Sequence, residues 1–489
     1  MSQKLLLACV LGSMLTASGA HAQPFETPPP PAAPRALNID APAELTLPNG
    51  LRVIVARRPG VQLVTAQLLL LSGAETDPNQ RAGRAAVTAE MLTKGTSRHS
   101  ASALASAAEA LGGSLDSGAG WNRSTVSITV SAPMIDAALG LVSETVLQPT
   151  FAQAELDRLR AHTLDGLKVA YTQPGFLATV SAERLLFGSG PYGHPASGSP
   201  VSLPRIMRAD LVAQHRENYR PDNAVLILAG DIDTDAAGQL ATRHFGHWRK
   251  PIRPLPEATA AGPGTGLPQS FAIIDMPSSD QAAVTLAVSV PPRGLDRAVA
   301  DVTNSVLGGG YSSRLNQEIR IKRGLSYGAG SQLDARRQGG LLRASVQTKN
   351  ESTAEVVALL QSEFDRLAVT PVSDDELGAR KAALIGEYSR SVETTAGLSA
   401  AVSGLVVAGL PTAELRRRIS ALTEVNASDV QRYAMTYLGT TQRRVVVVAG
   451  ESAKFSDALR AAIPKGSPAI AVVKQSTLDL ESNEGLARP

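Results

Sequence analysis

The chain has 489 residues, 43% of them hydrophobic and 19% charged, with a formal net charge of +3. At about 100–200 residues per domain, that is material for two to four domains with sizeable cores, which excludes a disordered chain. Aromatic residues make up only 4%, too few for a base-stacking platform, and the run Arg416-Arg417-Arg418 reads as the solvated face of a helix, so nucleic acid is not an expected partner.

At the N-terminus, Lys4 precedes an apolar run over 5–15, and Ala20-His21-Ala22 stands before Gln23. A charge, an apolar run and a small-residue site in that order predict a secretory signal peptide over 1–22. Its apolar part is too short to remain as an anchor, and no other run of about 18 apolar residues occurs, so no membrane insertion is expected. The one cysteine, Cys9, lies in this segment. Disulfides and Cys-ligated zinc are therefore not expected in the remainder.

Residues 23–40 are Pro-rich and read as a linker. The pattern over 45–56, centred on Pro48-Asn49-Gly50, predicts a hairpin. Strands are expected over 62–71, 125–131 and 225–231, and helices over 83–94, ended by Gly95, and over 135–147. The second half repeats the order. Strands are expected over 272–274, 283–290, 341–347 and 445–451, with helices over 299–307, 312–323 and 353–367.

The repeat can be measured. Asp210 stands 20 residues before Gly230, and Asp429 stands 21 before Gly450. Phe151 with Glu155-Leu156 matches Val372 with Glu376-Leu377. A period of about 220 residues is far too long for a solenoid and implies two similar domains. The expected architecture is α+β, two homologous α/β-sandwich domains forming a clamshell. The first spans 41–252 and the second 269–470, with a Pro/Gly-rich linker over 253–268 and a polar tail over 471–489.

Few residue patterns along the chain point to chemistry. His244 and His247 have a spacing that suits a metal on one helix face, but Gly246 interrupts it and no partnered acid is evident, so a surface helix end is expected. Gly308-Gly309-Gly310 lacks the Gly-Lys-Ser/Thr of a phosphate loop. There is no His-Glu-x-x-His motif.

One segment is more specific. Leu307-Gly308-Gly309-Gly310-Tyr311-Ser312-Ser313-Arg314-Leu315, followed by Ile319-Arg320 and Gly324-Leu325-Ser326-Tyr327, resembles the second-domain signature of pitrilysin/insulinase-type zinc metallopeptidases. The resemblance extends over about residues 41–460. Leu47-Pro48-Asn49-Gly50-Leu51-Arg52-Val53 is similar to the family's opening hairpin, 83–96 to its zinc helix, and 219–231 to the close of its first domain.

In that family the helix carries His-x-x-Glu-His, two zinc ligands on one face and a Glu that activates the bound water. The aligned positions here are Ala86, Ala89 and Glu90. Two methyl groups offer no lone pair, and a catalytic zinc takes about three protein ligands. The family's downstream Glu ligand falls near Gly166 or Leu167, with Asp165 adjacent. No zinc or other cofactor is therefore expected in this chain, and no catalytic residue acting alone.

The family's second-domain Arg/Tyr pair is retained as Arg320 and Tyr327, seven residues apart. The resemblance implies that they bind the scissile carbonyl and stabilise its oxyanion. Arg320 is expected in the last turn of a helix closed by Gly324, and Tyr327 at the start of the next strand. The residues alone leave a bland reading open, in which Arg320 caps helix carbonyls and Tyr327 is core.

The family includes bacterial two-chain enzymes in which one chain carries the zinc motif and the other the Arg/Tyr pair. The resemblance implies a non-catalytic, substrate-binding subunit of a periplasmic zinc endopeptidase acting on peptides, paired as a heterodimer with a homologous zinc-motif-bearing subunit that holds the zinc. A peptide-binding or assembly subunit with no part in proteolysis is the alternative. A third reading, an autonomous peptidase, would need a metal site built from Glu90, Asp165 and a histidine such as His162.

Overall fold

Fold and packing follow from a computed structural model that describes residues 39–78, 80–255, 266–267, 270–292, 294, 296–462, 470–482 and 486. The expected leader over 1–22, nearly all of the 23–40 linker and most of the 253–268 linker lie outside the described residues.

In the first half the elements run β1 (Ala43–Thr46), β2 (Arg52–Arg57), β3 (Leu63–Leu70), α1 (Arg84–Met91), α2 (Ala101–Ala110), β4 (Asp116–Ala119), β5 (Ser124–Ser131), α3 (Ile135–Leu147), α4 (Gln153–Ala170), α5 (Pro174–Phe187), α6 (Arg208–Asn218), β6 (Ala224–Gly230) and α7 (Thr234–Phe245). The second half continues with β7 (Phe271–Asp275), β8 (Gln281–Val290), α8 (Arg297–Leu307), α9 (Arg314–Asn316), β9 (Ala329–Asp334), β10 (Gly340–Lys349), α10 (Thr353–Val369) and α11 (Asp374–Ser391). It closes with α12 (Thr395–Val407), α13 (Glu414–Glu424), α14 (Ala427–Tyr437), β11 (Arg444–Gly450), α15 (Ser456–Ala462) and β12 (Ala471–Lys474).

The two six-stranded sheets have matching orders, β1-β2-β6-β3-β5-β4 and β12-β7-β11-β8-β10-β9. The expected α+β class with two homologous domains is therefore present. The Asn-Gly hairpin forms as expected, with Ala43 opposite Val55 and Gly50 at φ +93°. The match breaks at one edge. β1 runs antiparallel to β2, whereas β12 arrives from the C-terminal side and runs parallel to β7. The domain end expected at 470 thus falls short of the sheet, and the first part of the expected tail is a strand. Four residues with only Ala471 and Val473 turned inward are too short a pattern to stand out in sequence.

All seven residues of β6 are buried, which requires cover on both sheet faces. One face is covered locally. Val55, Leu68, Ile128 and Leu226 pack with Val87 and Met91 of α1 and with Leu139 and Val142 of α3. The other face, with Ile54, Leu69, Val225 and Ile227, is covered by Leu398, Val402 and Leu405 of α12, from the second half. The exchange is reciprocal, because α5 of the first half lays Leu177, Ala178, Ala182 and Leu185 on Ile274, Ala287, Val445 and Val447 of the second sheet. Each of those buried leucines contributes about 1.5–3 kcal/mol of apolar transfer, so the halves depend on one another for their cores. The described residues form one compact unit.

Among the described residues, no helix is long and apolar enough to cross a membrane.

Candidate functional site

The segment that matches the zinc helix is α1, extended by a 3-10 turn over Leu92–Lys94 and stopped by Gly95 at φ +129°. Its start is fixed by Asp77, whose carboxylate accepts from the Gly83 and Ala85 amides at 2.8 Å each. Gly83 has φ +89°, and a Cβ there would stand 2.8 Å from the Gly198 backbone, so the helix entry has no room for a side chain. Along this helix Ala86 is half-buried, Ala89 is fully buried and Glu90 is exposed.

Partial desolvation raises the Glu90 carboxyl, and the charges of Lys94 and His162 oppose that shift. On α4, Asp165 is exposed and bonded to Lys168 at 2.7 Å, which lowers its carboxyl. Among the described residues, no three His, Cys, Asp or Glu side chains come together in a way that could hold a metal ion. Glu90, Asp165 and His162 do not assemble. The donor set at this helix does not fit zinc.

His244, expected to lack an acidic partner, has one. Its Nε2 lies 2.6 Å from Oδ1 of Asp136 on α3, which lowers the Asp136 carboxyl and ties α7 to α3. The partner is 108 residues away, a distance at which sequence spacing carries no signal. The arginine run divides: Arg417 pairs with Glu414 on the surface, while Arg418 turns inward onto Asp301.

In the second half, α9 does not continue as the regular helix expected over 312–323. It passes into a π-turn over Gln317–Ile321, in which the Lys322 amide donates to the Gln317 carbonyl at 2.9 Å. The Gly324 amide then donates to Arg320 O and the Leu325 amide to Ile319 O, both at 3.0 Å, with Gly324 at φ +63°. Arg320 thus sits in the last turn before a glycine stop, as expected, but in a wider turn. Tyr327 is not in a strand. It stands two residues before β9, in a loop held by Ser326 Oγ donating to Gln347 O at 2.6 Å and Thr348 Oγ1 donating to Leu325 O at 2.6 Å.

The glycines before this turn are explained by close approach. Gly308 O accepts from the Ser331 amide of β9 at 3.1 Å, and a Cβ on Gly308 would stand 2.2 Å from that nitrogen. Helix α11 holds the same loop from the other side. Glu376 takes Arg314 in a bidentate pair at 3.0 and 2.9 Å, and Arg380 donates to Ser312 Oγ at 2.6 Å. Arg314 is therefore structural, and the Glu376 singled out by the repeat is its partner.

The turn is rich in cations, and their pairing is selective. Buried Glu318 engages Lys322 and Arg323, whose hydrogen bonds lower its carboxyl, and Arg366 lies 3.7 Å away. Among the described residues Arg320 makes no ion pair. Its guanidinium carbon instead lies 4.9 Å from the ring centroids of both Tyr327 and Tyr311. Tyr327 is 91% exposed and Tyr311 is 64% exposed. The structure therefore brings Arg320 and Tyr327 together, and the bland reading fails: Tyr327 is not core. It adds Tyr311, whose contact with Arg320 is not evident from the motif.

Two family models match this chain, insulinase (peptidase family M16) over residues 52–182 and peptidase M16 inactive domain over residues 205–384. An uncharacterized zinc protease of Mycobacterium tuberculosis is 30% identical over 353 residues, which cover 71% of this chain and 79% of that protein. The chain belongs to the insulinase family of peptidases, M16. A Helicobacter pylori relative named a non-peptidase homolog is 24% identical over 69% of this M16 chain and 78% of its own length.

The crystal structure of a peptidase M16 inactive domain from Pseudomonas fluorescens superposes with a TM-score of 0.77 at 26% identity, covering 85% of this chain and 98% of that one. The periplasmic protease PqqL of Escherichia coli shares the fold, with a TM-score of 0.71 at 16% identity. The match covers 92% of this chain and 50% of that one. Within this M16 chain, Arg320 and Tyr327 fall in the part matched by the inactive-domain model. Ala86, Ala89 and Glu90 fall in the part matched by the insulinase model.

Proposed function

We propose that this M16 chain is the substrate-binding, oxyanion-stabilising subunit of a periplasmic zinc metalloendopeptidase acting on peptides. In this reading it works as a heterodimer with a homologous subunit that bears the zinc motif, and the predicted signal peptide exports it. One observation carries the proposal: Arg320 is a half-buried cation with no carboxylate partner among the described residues, held beside the exposed phenol of Tyr327. The other half of the chain has Ala86 and Ala89 where one zinc ligand and the base would stand, and Glu90 where the second ligand would.

Zinc held by the partner would supply the activated water that attacks in such a reaction. The residues of this chain act on the other side of the scissile bond. The Arg320 guanidinium donates N–H to the carbonyl oxygen and supplies fixed positive charge as the oxyanion develops. Tyr327 adds a neutral O–H donor. Among the described residues no carboxylate pairs with Arg320, so none of them has to be displaced before substrate arrives.

Arg320→Ala in the assembled complex is expected to lower peptide turnover by about 10²-fold or more, with the melting temperature of this chain unchanged because the side chain is outside the core. Unchanged turnover would remove Arg320 from the reaction and favour the second reading. In that reading the chain holds peptide or supports assembly without taking part in proteolysis, a role in keeping with the relative named a non-peptidase homolog.

A further inference from the structure

We propose that Tyr311 is a positioning residue for Arg320, so that the working unit is a Tyr311–Arg320–Tyr327 cluster rather than a pair. The inference rests on the reading of Arg320 given above and deepens it. A half-buried arginine gives up rotamer freedom when it is held in one place. Here the holding is done by two rings, each 4.9 Å from the guanidinium carbon. Ring faces attract the cation without accepting its N–H groups in conventional hydrogen bonds, so the donor fork stays available to a carbonyl oxygen.

The rings come from different segments, Tyr311 from the glycine-rich loop before α9 and Tyr327 from the loop before β9. Buried Asn316 ties the two together. Its Nδ2 donates to Tyr311 O at 2.5 Å, and its Oδ1 accepts from the Ala329 amide at 3.3 Å. The outer anchors are Arg380 on Ser312 and Ser326 on Gln347 O. The two tyrosines differ in what they offer. Tyr327 is assigned an O–H donor role, whereas Tyr311 acts through its ring face alone.

That difference sets the test. The complex with the zinc-bearing partner, copurified from the native host, is assayed for kcat and KM on an internally quenched peptide with Arg320→Ala, Tyr327→Phe, Tyr311→Phe and Tyr311→Ala. Tyr311→Phe is expected to stay within about twofold of the unsubstituted complex. Tyr311→Ala is expected to lose about threefold to tenfold in kcat with little change in KM. Tyr327→Phe is expected to lose kcat despite keeping its ring. If Tyr311→Ala does not fold, Tyr311→Leu keeps bulk without a π-face and is expected to show the same loss.

Full activity in Tyr311→Ala beside a crippled Arg320→Ala would overturn the positioning role and leave the role of Arg320 standing. Equal losses in Tyr311→Phe and Tyr311→Ala would also overturn it, because the hydroxyl would then matter. Full activity in Arg320→Ala would remove the underlying reading itself.

Discussion

Glu75 lines a cavity of about 750 Å³ between the two halves, with Asp77, Arg84, Arg52 and Arg337 also on its wall. Burial pushes its carboxyl up to about 7, against the opposing charge of Arg337, whose Nη1 is 3.7 Å away. A carboxyl raised in the folded state favours its protonated form. Its contribution to stability is full below the ordinary value of 4.5 and is lost as the pH rises through about 7. The span corresponds to about 3 kcal/mol. Glu75→Gln should therefore flatten the decline in stability between pH 4.5 and 8, read from urea midpoints at several pH values. Parallel slopes for variant and parent would contradict it.

At this same scale, Arg320 and Tyr327 were legible because a local motif carries them. Tyr311 and Asn316 lie in or beside that motif, yet their roles depend on loop geometry that spacing does not encode.

At the scale of elements, the turn between β9 and β10 is driven into the first half. Arg336 is buried, with its guanidinium carbon 4.2 Å from the Trp121 ring, 5.1 Å from Tyr192 and 5.3 Å from Phe187. It pairs with Glu183 at 3.0 Å and Asp334 at 2.7 Å. Next to it, the Arg337 amide donates to Asn122 Oδ1 at 2.9 Å. Arg336→Ala should destabilise the chain by about 2–3 kcal/mol, because it empties an aromatic cage and leaves Glu183 with Arg343 as its one remaining arginine partner among the described residues. A loss under about 0.5 kcal/mol by denaturant titration would show the contact to be incidental.

None of this was readable beforehand. Periodicity shows that Leu177, Ala178 and Leu185 form an apolar face, but not that the sheet beneath them belongs to the other half. The π-turn was equally hidden, since one added residue in a turn leaves the apolar pattern over 315–319 intact. Strands and hairpins were more visible, because the buried runs of β6 and β11 and the Asn-Gly turn are local signals.

For the whole molecule, the repeat of about 220 residues was visible in sequence and is matched by the two sheet orders. The exchange of α5 and α12 makes the halves one compact unit. Their chemistry has diverged: the first half presents Ala86 and Ala89, and the second presents a guanidinium and a phenol. On the function proposed above, the chain supplies transition-state donors and another chain supplies metal and nucleophile. The most direct measurement is peptide turnover by the purified chain, alone and with increasing amounts of a zinc-motif-bearing M16 chain from the same host. Turnover should be absent from the chain alone, appear on mixing and saturate at equimolar partner. Turnover by the chain alone, accompanied by stoichiometric bound zinc, would contradict the division of labour between the two subunits.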